Sequence, residues 1–294
     1  MTVVAGHDGS DSGDDAAVLG ARLARATGEP LLVVTVYPQE NPVGTIGRVD
    51  AEWVAYMRDL AEEVSASAKR FLEERGVSAE YRVIGSGSSA HGLDDVAEAE
   101  HASAIVVGSE RHGARRRISP GSTGERLLHG AICPVAIAPR GFREHPVDAP
   151  IQRIGVGFVD APEGHEAVKV AGELAAETGA TVTLYTVIAR RAEVFSPVIG
   201  RDAEEAFLAT VREDAQASMD KARETIPAGV TVQVEMLEGD TVEALAALDE
   251  HEVDLLVCGS RGYGPVRRVL LGGVLRKLVR RAACPVVIVP RGAS

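Results

Sequence analysis

Residues 259–273, GSRGYGPVRRVLLGG, follow an apolar run at 253–258 that reads as a buried strand and lead into 274–282, which reads as a helix. A glycine-bearing loop between a strand end and a helix start is a place to bind phosphate. There the first N–H groups of the helix lack internal partners, the helix dipole favours an anion, and glycine lets backbone approach a ligand. The glycines Gly259, Gly262 and Gly272 are spaced Gly-x2-Gly-x9-Gly. Between them lie Arg261, Arg267 and Arg268 and no acidic residue, in a chain whose net charge is −12. Local positive charge on that background suits an anionic ligand. The competing reading is a solvated turn with ordinary surface arginines.

The stretch occurs twice. Subtracting 151 from each position lands on Gly108, Arg111 and Gly121 in GSERHGARRRISPGS. The same offset pairs Gly157 with Gly6, Val187 with Val36, Cys284-Pro285 with Cys133-Pro134, and Pro290-Arg291-Gly292 with Pro139-Arg140-Gly141. One constant offset across nearly the whole chain identifies a tandem duplication. Its expected units are 1–140 and 151–294, with 141–150, which contains two prolines and mixed charge, as linker.

At 294 residues, with 45% hydrophobic and 25% charged side chains, the chain suits two globular domains that each bury a core. A pI near 5.2 argues against a nucleic-acid surface, since phosphate-backbone binding needs a broad basic face. Three cysteines, two in matching Cys-Pro positions, read as small core residues rather than a disulfide framework. No run of 18 apolar residues occurs, and the expected location is cytoplasmic, with no membrane partner.

In chain order, strands are expected at 2–7, 31–37, 79–85, 103–108 and 134–139, and helices at 14–27, 50–75, 89–101 and 122–130. The second half repeats the plan. Its strands fall at 152–158, 181–188, 230–237, 253–258 and 285–289, and its helices at 164–178, 201–225, 241–251 and 274–282. Such alternation predicts a doubly wound α/β unit with a parallel sheet in each half. Ligands of such sheets sit at the carboxyl ends of the strands where the winding reverses, and if the order is 3-2-1-4-5 the loops after the first and fourth strands, which carry the glycines, meet there. The loops at 38–49 and 188–200 would lie over that place as lids.

A first strand followed by Asp8-Gly9-Ser10, a second strand with the late Val36, and a glycine loop ending in Gly121-Ser122 before a Cys-Pro-Val strand resemble the universal stress protein family in its tandem form. The resemblance covers both halves nearly end to end. It implies an adenine nucleotide alpha hydrolase-like fold whose last strands pair, here as an internal pseudo-dimer, with a homodimer of the full chain as a further expectation. It implies ATP as ligand, with Mg²⁺ as its companion ion, little or no turnover, and a role in stress response through an unknown protein partner. Position by position, Asp8 and Val36 would hold adenine and ribose, with Val107 and Gly108 at the fourth-strand end. Gly121, Ser122 and Thr123 would meet the phosphates. Val187, Cys258, Gly259, Gly262, Gly272, Gly273 and Val274 are the matching positions of the second half.

Both halves depart from the family pattern. Arg111 stands where the first half's second glycine is expected, and its side chain would reach a phosphate or obstruct the loop. In the second half Val159 replaces the expected aspartate, with Asp160 one residue late, and Gly273 replaces the serine. Losing an acceptor costs about 1 kcal/mol, so the second half is expected to bind more weakly. The residues admit binding at both halves, at one or at neither.

Other chemistries fit less well. Residues 8–13, DGSDSG, partly match the Ser-Gly-Gly-x-Asp-Ser loop of adenylating ATP pyrophosphatases, but a turn capped by Asp and Ser explains them. Residues 85–90, GSGSSA, mimic a dinucleotide loop, but the acid required at the end of the next strand is missing. No Gly-x-Ser-x-Gly elbow, Walker Gly-x4-Gly-Lys or metal-type histidine spacing occurs. His7 beside Asp8 reads as structural rather than as a general base. The chain is therefore not expected to be an enzyme beyond a slow ATPase. The alternative of another class is an interaction scaffold that binds no nucleotide.

Overall fold

In the computed structural model of the protein, residues 1–39, 48–110, 117–188, 201–260 and 272–290 are described. The first half alternates β1 (Val3–Gly6), α1 (Asp11–Thr27), β2 (Leu31–Pro38), α2 (Arg48–Glu73), β3 (Glu80–Ser86), α3 (Ser89–Ala99), β4 (Ala104–Gly108), α4 (Ser122–Leu127) and β5 (Val135–Ala138). A short 3₁₀ turn at Phe142–Glu144 follows. The second half repeats the series as β6 (Arg153–Gly157), α5 (Pro162–Thr178), β7 (Thr181–Ile188), α6 (Arg201–Arg223), β8 (Val232–Glu238), α7 (Thr241–Ala247), β9 (Leu255–Gly259), α8 (Gly273–Val279) and β10 (Val286–Val289).

The strands form one ten-stranded sheet in the order β3-β2-β1-β4-β5-β10-β9-β6-β7-β8. Each half thus has the order 3-2-1-4-5 and is parallel throughout. The halves join where β5 and β10 run antiparallel, with Val286 opposite Ile137, Val287 opposite Ala136 and Ile288 opposite Val135. The expected pseudo-dimer is one continuous sheet. Both strands are Val, Ile and Ala only and are buried on both faces, as strands in a sheet covered by helices on both sides must be.

Alternation along the strands divides the core between the faces. Val3 and Ala5 belong to the core on one face, which runs along the sheet through Ala17 of α1, Leu72 of α2, Ala167 of α5 and Met219 of α6. Val4 turns to the opposite face, with Leu93 of α3, Leu127 of α4, Leu245 of α7 and Leu278 of α8. All three cysteines are free and buried, and burial pushes each thiol up to about 12. They are protonated core side chains, as their Cys-Pro context suggested.

Several element ends differ from the sequence expectation. α1 begins at Asp11, three residues early, because the Ser10 hydroxyl accepts the Gly13 N–H at 3.4 Å and caps the helix there. α7 stops at Ala247 instead of 251. Asp249 starts a turn of its own by accepting the His251 N–H at 2.7 Å.

The segment expected as linker is fastened to α1. Buried Asp15 accepts the Gly141 N–H at 2.9 Å and the Arg143 N–H at 2.8 Å, and the Arg143 guanidinium reaches Asp11 at 2.7 Å. Arg22 donates to the carbonyls of Ala149 and Pro150 at 3.1 and 3.2 Å. Phe142 is buried in the shared core beneath this clamp. A comparable clamp starts the second half. Asp254 accepts the Gln152 and Arg153 N–H groups, both at 2.9 Å, and pairs with the Arg153 guanidinium at 2.8 Å.

Burial alone would raise the Asp254 carboxyl, but the Arg153 side chain and the two backbone N–H groups outweigh it and hold the group below its ordinary value of 3.8. A carboxylate depressed in the folded state contributes stability above its unfolded pKa and loses it as the pH falls through the folded value. Asp254→Asn is therefore expected to destabilise the protein at pH 7. The gap to wild type should shrink as the pH drops below 3.8, measured as paired urea midpoints across that range.

Candidate functional site

At the carboxyl ends of β1, β2 and β4 lies a cavity of about 290 Å³. Asp8 borders it from the β1–α1 turn, Val36 from β2, and Val107 and Gly108 from β4. Gly121, Ser122 and Thr123 close the far side at the start of α4. Seven of the eight positions expected in the first half therefore line one cavity, and the eighth, Arg111, lies outside the described residues. Gly121 is the N-cap of α4 and offers no side chain to its N–H groups, so that helix start faces the cavity without a side-chain cap.

Local hydrogen bonds set the wall opposite. Asp8 Oδ1 accepts the Ser10 N–H at 3.1 Å and the Ser10 hydroxyl, which holds the carboxylate on its turn. His7 Nδ1 accepts the Gly9 N–H at 3.2 Å, so Nε2 carries the proton and donates to Asp14 at 3.0 Å. Both ring nitrogens are thus engaged and the ring is buried, which makes His7 a brace for the turn although it borders the cavity. Ser12, Ser89 and Glu110 also line the cavity. For Ser89 a signal was present: the Gly-Ser-rich loop after β3 is another strand-to-helix loop at the same sheet edge.

Gly108 and Gly259 have a reason that the sequence reading missed. A Cβ on Gly108 would come closer to the Ser12 carbonyl oxygen than the 3.0 Å that real side chains keep. On Gly259 it would meet the Glu163 carbonyl in the same way. In each half the glycine at the strand end lets the first turn of α1 or α5 lie against the strand. The glycine that opens each loop motif therefore packs a helix as well as lining a cavity.

The second half carries its own cavity, of about 420 Å³. Val187, Cys258, Gly259, Gly272 and Val274 line it, and Gly273 begins α8 between the last two. Gly262, with Arg261, Arg267 and Arg268, lies outside the described residues, as do most of the two expected lids, at 40–47 and 189–200. Val159, in the place of Asp8, is about half exposed. Asp160 binds His165 Nε2 through Oδ1 at 2.9 Å and accepts the Ser218 hydroxyl through Oδ2 at 3.0 Å. These hydrogen bonds hold its carboxyl below the usual carboxylate value. Among the described residues no three His, Cys, Asp or Glu side chains are grouped to hold a metal.

A sequence profile described as the universal stress protein family matches this chain twice, over residues 1–139 and 150–290. The chain belongs to the universal stress protein family. Two universal stress proteins, from Mycobacterium tuberculosis and Mycobacterium bovis, are each 31% identical to it over 293 residues, covering 99% of this chain and 100% of the relative. A relative from Thermus aquaticus, also a universal stress protein, is 31% identical over 137 residues, 96% of its own length but 46% of this chain. That is what a duplicated universal stress protein unit predicts. The crystal structure of a universal stress protein from Archaeoglobus fulgidus superposes with a TM-score of 0.66 at 22% identity, covering 99% of this chain and 98% of that one, and shows the shared fold. Among the described residues no helix is long and apolar enough to cross a membrane.

The packing of Gly108 gives a test that separates architecture from binding. Gly108→Ala and Gly259→Ala are each expected to cost about 1–3 kcal/mol in urea denaturation, as overpacked positions do. Gly121→Ala has open space around the new Cβ and is expected to stay within about 0.5 kcal/mol of wild type.

Proposed function

We propose that this universal stress protein binds an adenine nucleotide, ATP with its Mg²⁺, in the first-half cavity, and that occupancy of that cavity gates contacts with a protein partner in a stress response. The observation that carries the reading is the convergence of Asp8, Val36, Val107, Gly108, Gly121, Ser122 and Thr123 on one cavity from four separate elements. Val36 and Val107 supply apolar walls for a base. Asp8 supplies an acceptor for a sugar hydroxyl or an exocyclic amine. The N–H groups at the start of α4 and the hydroxyls of Ser122 and Thr123 supply donors for phosphate.

The same inventory supports binding with little turnover. Among the described residues lining the cavity, His7 is tied at both nitrogens, Asp8 is held on its turn by the Ser10 N–H at 3.1 Å, and Glu110 accepts the Ser119 hydroxyl at 3.4 Å. The family resemblance points in the same direction, and a cytoplasmic location agrees with an ATP ligand. The second half has the same backbone plan but lacks the aspartate at Val159 and the serine at Gly273, so the first half is the stronger nucleotide site.

Calorimetric titration of the nucleotide-stripped full chain with ATP and Mg²⁺ tests this. Asp8→Asn keeps an acceptor for the Ser10 N–H and so spares the turn while removing the charge. It is expected to weaken ATP by about 1 kcal/mol or more, roughly fivefold to tenfold. The absence of both heat and thermal stabilisation at millimolar ATP would reject the nucleotide reading and leave the interaction scaffold.

A further inference from the structure

The charge of the chain is distributed unevenly, and folding concentrates the difference. Residues 111–140 and 261–291 hold fourteen of the 31 Lys and Arg residues and a single acid, Glu125, in a chain of net charge −12. These segments include α4 and α8, which the pairing of β5 with β10 sets on either side of the junction, on one face of the sheet. Among the described residues Arg117, Arg126, Arg276, Lys277, Arg280 and Arg281 are all exposed there. At the 151-residue offset Arg126 and Lys277 occupy the same place in the two halves.

The basic strip is continuous across the junction. Arg280 pairs with Glu125 of α4, and Arg117 donates to the Arg281 carbonyl. The Arg281 guanidinium pairs with Glu243 of α7, whereas Arg126, Arg276 and Lys277 make no ion pair among the described residues. A cation in the last turn of a helix answers the helix dipole, which gives these three a local role. Arg117 precedes α4 and has no such role. Acids bound the strip: α3, packed against α4, carries Asp94, Asp95 and Glu98, and α7, packed against α8, carries Glu243, with Asp249 and Glu250 just beyond it. The basic surface is therefore only as wide as two short helices, roughly 20 Å by 10 Å from helix rise and spacing. A nucleic-acid duplex would lay phosphates over the flanking carboxylates, and α4 and α8 have no aromatic side chain on which a single strand could stack. An extended acidic peptide covers about 20 Å in roughly six residues and matches the strip.

We propose that the strip formed by α4 and α8 is a docking surface for an acidic segment of a partner protein, whose carboxylates pair with Arg126, Arg276 and Lys277. It gives a chemistry to the partner of the function proposed above and rests on that reading for its place in the gating. The docking itself needs no nucleotide.

The test is fluorescence anisotropy of a dye-labelled peptide of alternating Glu and Ser, about twelve residues long, titrated with the nucleotide-stripped full chain at low salt. A Lys-Ser peptide and an oligothymidine of the same length serve as comparisons. Saturable binding of the acidic peptide is expected, weakening as salt rises, with no binding of the Lys-Ser peptide and weaker binding of the oligothymidine. Arg126→Glu and Lys277→Glu should each weaken the acidic peptide about fivefold, and together about twentyfold, with urea midpoints close to wild type. Arg70→Glu, exposed on α2 across the sheet, should leave binding unchanged. The proposal is overturned if the acidic peptide shows no saturable binding at about 100 μM, if the charge reversals leave its affinity intact, or if Arg70→Glu weakens it as much. It is overturned in favour of a nucleic acid if the oligothymidine binds as tightly, and in favour of a second copy if the chain is a homodimer that Arg126→Glu dissolves. Failure of ATP to bind anywhere would reject the nucleotide reading above and leave this result unchanged.

Discussion

The antiparallel pairing of β5 with β10 is the constraint on which the rest of the molecule depends. Each is the last strand of its half, short, wholly apolar and buried. Left alone, each would be a sheet edge with unpaired backbone groups beside an apolar surface, which is the arrangement that proteins most need to cover. Pairing the two satisfies both edges at once and makes ten strands out of two fives. It also brings the α4 and α8 regions together across the junction. The Ile118 N–H donates to the Ala282 carbonyl at 3.2 Å, and Arg117 donates to the carbonyl of Arg281. The limb that returns from the first glycine loop to α4 is therefore held partly by the second half. Opposite, on the other face, α1 and α5 pack in one core with Phe142, so the clamp at Asp15 anchors the connection between the halves.

Duplication on such a frame leaves the backbone under strong constraint and the cavity walls under little. Gly108 and Gly259 are both kept because each lets a helix turn approach a strand end, a requirement of packing that has nothing to do with a ligand. Phe158, Tyr185 and Leu275, by contrast, line the second cavity where His7, Val34 and Gly124 line the first. An apolar substitution there is tolerated by the fold. The walls of the two cavities thus differ while the sheet stays the same.

Much of this was legible in the residues. A parallel sheet needs strands apolar on both faces, so runs such as Leu31–Pro38 announce themselves, and helices of 17 residues between them announce the crossover. The last strands were legible as strands, and their pairing with each other came only through the resemblance. The helix ends at Asp11 and Ala247 were misjudged because hydrogen bonds from Ser10 and Asp249 decide them, and apolar periodicity does not record such bonds. Phe142 and the Asp15 clamp were hidden within a Pro-rich, charged stretch whose composition is that of a linker.

By itself the sequence determined the duplication and the alternation of strands and helices that makes each half doubly wound, because both follow from periodicity and spacing along the chain, whereas the order 3-2-1-4-5 that brings the strand ends together is seen in the sheet. Tertiary structure alone decided which side chains line the cavity at the strand ends and why Gly108 and Gly259 stand there. Asp160 illustrates the difference. One residue from the expected position it reads as a near miss, yet in space its two oxygens are committed to α5 and α6, 5 and 58 residues away along the chain. The direction of a side chain on a turn depends on partners brought there by folding, and spacing along the chain does not encode them.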